Sequence, residues 1–228
     1  MQTVEPCTLE EMRAEMILSD PQREACRSHR RARAIMGENM FGFEETQDCF
    51  GSMSVRQAVA LIEIPFSEQI MNVCAHTHLL VADLGPSIHA MQRWSWVLKV
   101  RGSFDQEPFM RLRQNPTWRL IRRDPLAGSF EKTWLEQTRL VPLGESILPA
   151  RPIVYATLLY WHARQKKLLE GYGVRTSDRT QRGSTIVAGP FLDSRFKLGP
   201  WYGADRHQNL GLLTGREPSC EMDSMFHP

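Results

Sequence analysis

RPIVYATLLYWHARQ, residues 151–165, is an apolar run of helical length whose proline suits a first helical turn. After Leu169 the composition changes, because eight glycines divide residues 170–216 into short segments such as 174–176 and 185–188. Short segments of this kind between glycines are typical of strands joined by turns. An apolar helix followed by a strand-rich section predicts an α+β protein.

The residues before this helix carry several helix-start patterns. Thr8 and Glu11 have capping-box spacing, and Asp20-Pro21 predicts a second helix that stops at Gly37. Further patterns predict a loop at 37–53, helices at 54–62, from Ser67 and at 130–140, and strands at 78–82, 94–100 and 117–121.

These patterns divide the chain into four segments. We expect a helical N-terminal segment at 1–50, a mixed α/β core at 51–169, a β-rich section packed on that core at 170–216, and a frayed tail at 217–228.

Composition narrows the class of protein. The chain has 28 basic and 26 acidic residues, a formal charge of +2. Proteins that bind mainly to nucleic-acid phosphates usually have a larger basic excess, so the overall charge argues against that class. Five dispersed cysteines without a Cys-x-x-Cys pair predict free thiols in a reducing cytoplasm. The start of the chain lacks a signal-peptide pattern, and the apolar run 153–161 is too short for a membrane span. We therefore expect a soluble, cytoplasmic protein that does not contact a membrane.

Three stretches carry a family resemblance: residues 64–81, residues 118–156, and residues 174–178 with Trp201 and 209–212. Over residues 64–216 the chain resembles a family of uncharacterised bacterial proteins, some of them associated with phages and mobile elements. The resemblance implies homology, and it brings no activity or cofactor with it.

His76, His78 and Asp83 form a candidate metal site. Two histidines separated by one residue on an extended segment point to one face, and a nearby carboxylate completes a donor set for a divalent metal. The alternative is structural, since histidine is common near helix C-termini. On the first interpretation the protein would be a metal-dependent hydrolase.

The stretch 93–123 is a candidate nucleic-acid surface, because tryptophans and phenylalanines alternate with basic residues. Stacking platforms combined with cations are what single-stranded nucleic acid requires. The alternative is a core of aromatic residues beneath a solvated face of arginines. The candidate residues are Arg111, Arg113, Trp118, Arg119, Arg122 and Arg123.

A third candidate lies near the C-terminus, where aromatic and hydrogen-bonding side chains are dense and glycines flank them. Loops on a β scaffold commonly bind ligands, although this tryptophan could instead close the core and Asp205-Arg206 could be a surface pair. The candidate residues for binding a protein or small ligand are Trp201, Tyr202, Asp205, Arg206, His207 and Asn209.

Catalytic fingerprints give no positive signal. No Gly-x-Ser-x-Gly or P-loop pattern occurs, and Gly171-Tyr172-Gly173 lacks the third glycine of a dinucleotide site. The leading hypothesis is a non-enzymatic binding protein that needs no cofactor.

Overall fold

The computed structural model describes residues 20–94, 97–100, 104–201 and 206–218, and it confirms the α+β class, with helices towards the N-terminus and strands towards the C-terminus. The helices are α1 (Asp20–Met36), α2 (Phe43–Phe50), α3 (Val55–Ala60), α4 (Glu68–Cys74), α5 (Ile88–Trp94), α6 (Pro108–Arg111), α7 (Trp134–Thr138) and α8 (Ala150–Arg164). None of them has the length and apolar character needed to cross a membrane.

Two sheets form in the described part of the chain. The strands are β1 (Met40–Phe41), β2 (His78–Asp83), β3 (Leu98–Val100), β4 (Thr117–Arg122), β5 (Ser146–Ile147), β6 (Gly173–Arg179), β7 (Thr185–Leu192), β8 (Arg195–Trp201), β9 (Leu210–Leu212) and β10 (Thr214–Arg216). The first sheet has the order β1-β2-β4-β10-β5 and the second β3-β8-β7-β6-β9. Leu213 alone separates β9 from β10, so the chain passes from one sheet to the other within a single residue.

Helix α8 lies between the two sheets and is the centre of the fold. It contacts β2 of the first sheet and both β6 and β7 of the second. Every residue from 150 to 160 is buried, as expected for a helix that is apolar on all sides. One continuous apolar core joins Leu79 and Val81 of β2 to Ile186 and Phe196 across this helix.

The other face of the first sheet packs against helices that precede β2 in the chain. Leu80 of β2 and Trp118 of β4 share an apolar cluster with Met36 of α1 and Met71 of α4. The Trp118 indole N–H donates to the Leu61 carbonyl at 2.9 Å. This tryptophan is therefore a fully satisfied core residue.

Predicted helix starts and strands recur in the structure with adjusted lengths. Ser54 and Ser67 accept hydrogen bonds from the first turns of α3 and α4, as their positions predicted. The segment 37–53 is not a loop, because it holds β1 and α2. The expected helix at 130–140 shrinks to α7, and the pattern at Thr8 lies outside the described residues.

The segment before and within α7 covers the edge of the second sheet at β9. Leu126 N–H donates to the Leu212 carbonyl at 2.9 Å, and the Gln137 amide donates to the Leu210 carbonyl at 3.0 Å. Covering an edge strand in this way removes backbone groups that could otherwise pair with another chain. This segment does not cover the whole outer face of the second sheet. Its Phe130 ring contacts Tyr172, and on the other side of Tyr172 a cleft remains open.

Candidate functional site

A cleft of about 330 Å³ opens on the face of the second sheet that is turned away from α8. Phe196 and Leu198 of β8 pack in the core, so Lys197 and Gly199 project from the opposite face. Gly199 is paired with Val187 of β7. Gly199 and Gly173 have no side chains, and they leave open a hollow that larger residues would fill.

Gly173 on β6 shows why the floor of the cleft demands small residues. A Cβ atom added there would lie 2.8 Å from Val187 Cγ1, closer than real contacts allow. The side chains around this floor are mostly apolar or aromatic. They are Tyr172, Val187, Pro190, Leu192, Lys197, Pro200, Trp201, His207, Asn209 and Leu210.

The charge carried by the described residues that line the cleft is positive. Among the described residues that line it, Lys197 carries the only permanent charge, and none is a carboxylate. The half-buried Lys197 also has no ion-pair partner among the described residues. A cation beside apolar walls is suited to a ligand that combines an apolar ring with an anionic group.

A tight local arrangement holds the rim of the cleft. The rings of Trp201 and His207 meet edge to face, with centroids 5.0 Å apart. The Asn209 backbone N–H donates to His207 Nδ1 at 3.1 Å, and the Asn209 carbonyl accepts from Gly173 N–H at 2.9 Å. Within the described residues, the buried Trp201 indole N–H finds no acceptor.

The structure brings together three of the six residues predicted near the C-terminus, since Trp201, His207 and Asn209 all line this cleft. Arg206 is not among the lining residues, and its guanidinium donates to Glu136 Oε1 at 2.6 Å. Tyr202 and Asp205 lie outside the described residues.

Sequence reasoning missed Tyr172 and Lys197 as members of the site. The pattern Gly171-Tyr172-Gly173 held a usable signal, because glycines on both sides of an aromatic residue free the space around it. Lys197 could not be found in this way, because only its register in β8 places it on the open face.

The predicted metal donors do not converge. His78 and Asp83 stand at opposite ends of β2, five residues apart, so strand alternation puts them on opposite faces. His78 is buried and Asp83 is fully buried, whereas His76 is exposed before the strand begins. The described residues contain no group of three or more metal-ligating side chains suited to an ion.

Asp83 instead pairs with two buried arginines. Its carboxylate accepts from Arg119 Nε at 2.8 Å and from Arg151 Nη1 at 2.9 Å, and it also accepts from the Gly85 N–H. Burial alone would raise the pKa of Asp83, but the two guanidiniums outweigh it and hold that pKa below its usual value. This carboxylate is ionised and structural.

His78 belongs to a second buried cluster around Glu145. Glu145 accepts a bidentate pair of hydrogen bonds from Arg122 at 2.8 and 2.9 Å, and one from the Thr214 hydroxyl. His78 Nε2 lies 3.4 Å from Glu145 Oε1, while Nδ1 faces the Thr77 hydroxyl at 2.9 Å. Burial opposes ionisation of Glu145, yet His78, Arg122 and Thr214 lower its pKa far below the ordinary value.

The candidate nucleic-acid residues are also dispersed. Trp118 is 1% exposed and offers no surface for stacking. Arg119 and Arg122 are engaged by Asp83 and Glu145, and Arg123 lies beside Asp124 at 3.4 Å. The remaining candidates, Arg111 and Arg113, are exposed. A continuous track of phosphate-binding arginines is therefore not formed by these six residues.

Comparison with family models, with curated proteins and with solved structures found no match to this chain.

Proposed function

We propose that the protein is a non-enzymatic binding protein whose cleft on the second sheet takes a small, ring-bearing acid. The observation that carries the proposal is the meeting of Trp201, His207 and Asn209 with Tyr172 and Lys197 around one hollow. Aromatic faces recognise a flat ring, and the Lys197 ammonium recognises a carboxylate or phosphate attached to it. The volume of about 330 Å³ is within the range of small-molecule sites.

The remaining expectations about the protein's setting belong to the same proposal. Cys26, Cys49 and Cys74 are free thiols, which a reducing cytoplasm maintains. We also retain the proposed relationship to the bacterial and phage-associated family over residues 64–216.

The test is a binding titration with two matched probes, indole-3-acetate and its uncharged amide, followed by calorimetry. We expect saturable binding of the acid and binding of the amide at least about tenfold weaker, because the amide lacks the charge that Lys197 recognises. Lys197→Ala should reduce affinity for the acid to that for the amide. Lys166→Ala removes an exposed lysine elsewhere, just after α8, where it pairs with Glu38 at 3.8 Å, and should leave both affinities unchanged.

Asn209→Ala gives an independent check, because its amide lines the cleft while its backbone holds the rim. We expect weaker binding with an unchanged melting temperature. The proposal fails if neither probe binds at millimolar concentration, or if Lys166→Ala weakens binding as much as Lys197→Ala.

A further inference from the structure

A second cleft, of about 450 Å³, lies at the end of β2 where Asp83 leaves the first sheet. It shares no described lining residue with the cleft on the second sheet. Its walls come from the end of α2, the start of α3, the loop after β2 with the following α5, and the loop before β4. We call it the arginine cleft, after Arg56 and Arg113.

Hydrogen-bond donors dominate the arginine cleft. Arg56, Arg113, Asn115 and Ser52 line it, and no carboxylate is among its described lining residues. Arg56 and Arg113 are exposed, and neither has an ion-pair partner among the described residues. Two uncompensated guanidiniums at one opening are an arrangement that attracts anions.

The orientation of Gln114 adds a donor to the cleft. Its Oε1 accepts from Arg119 Nη2 at 2.6 Å and from Arg151 Nη2 at 2.5 Å, both behind the cleft. Because guanidiniums can only donate, the amide oxygen must face them and the NH₂ group must face away. That NH₂ group has no acceptor among the described residues.

Gln114 is also held firmly in place. Its backbone N–H donates to the Gly85 carbonyl at 3.0 Å. Gly85 has φ +74, and a Cβ atom there would lie 1.9 Å from the Gln114 carbonyl oxygen, so the two backbones touch. The loop after Asp83 and the loop before β4 therefore pack directly against each other and form the floor of the cleft.

The charges behind this floor are compensated. Asp83 pairs with both buried arginines, Arg119 and Arg151. Glu217 also contacts Arg119, and Asp178 interacts electrostatically with Arg151. The excess positive charge at the cleft therefore comes from Arg56 and Arg113.

We propose that the arginine cleft binds the oxyanion group of a small molecule, either a phosphate monoester or a carboxylate. Arg56 and Arg113 contact the oxygens with charge-assisted hydrogen bonds, and the Gln114 and Asn115 amides donate to the remaining lone pairs. This site is separate from the cleft on the second sheet, and its proposal does not rest on the function proposed for that cleft.

The experiment titrates the full chain with glycerol 3-phosphate and, separately, with citrate, in low salt by calorimetry. Arg56→Gln and Arg113→Gln should each weaken binding about tenfold, as expected for a charged hydrogen bond. The control Arg195→Gln removes one exposed arginine from β8 and should leave affinity unchanged. The tighter of the two probes assigns the oxyanion as phosphate or carboxylate.

Gln114→Glu separates binding from structure. The new carboxylate keeps an oxygen towards Arg119 and Arg151, so the melting temperature should be unchanged or higher. It also places a second oxygen where the NH₂ group stood, so anion binding should fall at least about tenfold through repulsion. Absence of binding by both probes at 10 mM, equal weakening by Arg195→Gln, or full affinity in Gln114→Glu would each overturn the proposal.

Discussion

Asp83 shows how one buried carboxylate can hold separate elements of a fold together. It is fully buried between Arg119 and Arg151, which come from β4 and α8. Removing one partner of a buried ion pair is costly because the other charge stays behind without its neutraliser.

We therefore predict that Asp83→Asn lowers the free energy of unfolding by about 3–5 kcal/mol. Urea denaturation followed by circular dichroism measures this loss. Asp124→Asn is the matched control, because Asp124 pairs with Arg123 at the surface and should cost about 1 kcal/mol or less. Equal losses in the two variants would mean that the buried pair contributes no more than a surface pair.

Glu145 gives the folded state a defined response to acid. Its pKa is lowered in the folded protein from an ordinary value of 4.5, so its stabilising contribution is complete above that pH. The contribution is lost progressively as the pH falls below 4.5 towards the folded pKa.

We predict that Glu145→Gln is less stable than the natural sequence at pH 7, and that this difference narrows as the pH falls from about 5 to 2. Unfolding free energies measured across that range provide the check. A difference that stays constant with pH would show that Glu145 acts through packing and not through its charge.

At the scale of elements, α7 illustrates what local pattern can and cannot predict. Thr133 and Glu136 form the capping box that begins the helix, and this signal is present in the sequence. Residues 130–133 are not helical, since Glu131 has φ +56 and its N–H donates to the distant His207 carbonyl at 3.2 Å. Such long-range bonds have no signature in a local pattern.

The buried Gln137 ties α7 to the second sheet, because its amide oxygen accepts from Arg175 Nη1 at 2.7 Å. We predict that Gln137→Leu costs about 1–3 kcal/mol of stability, since a buried guanidinium loses an acceptor. Leu135→Ala, at an exposed position of the same helix, should cost less than about 0.5 kcal/mol. Chemical denaturation of both variants compares them directly, and similar losses would contradict the structural role of Gln137.

The sequence predicts only part of the candidate cleft, because some of its residues are close along the chain and others are brought in by strand pairing. Trp201, His207 and Asn209 were visible as a local cluster of binding side chains near glycines. Lys197 joins them only through strand register. The predicted metal site fails because His76 precedes β2 and because the five-residue spacing of His78 and Asp83 puts them on opposite faces of that strand. Spacing along the chain predicts chemistry only after the register of each strand is known.

Helix α8 is packed between both sheets and shares one apolar core with them. We predict a single unfolding transition, with tryptophan fluorescence and far-ultraviolet circular dichroism giving coincident midpoints in urea. Neither sheet can lose α8 without exposing the core that it shares with the other. Two separated midpoints would show that the sheets unfold independently.

The passage of the chain from β9 to β10 determines when each sheet can be completed during synthesis. β10 occupies an inner position of the first sheet, between β4 and β5, yet it is among the last residues described. A nascent chain that ends before residue 210 lacks β10 of the first sheet and β9 of the second sheet. Neither sheet can therefore be completed before residues 210–216 have been synthesised, and the strands made earlier lack these partners until then.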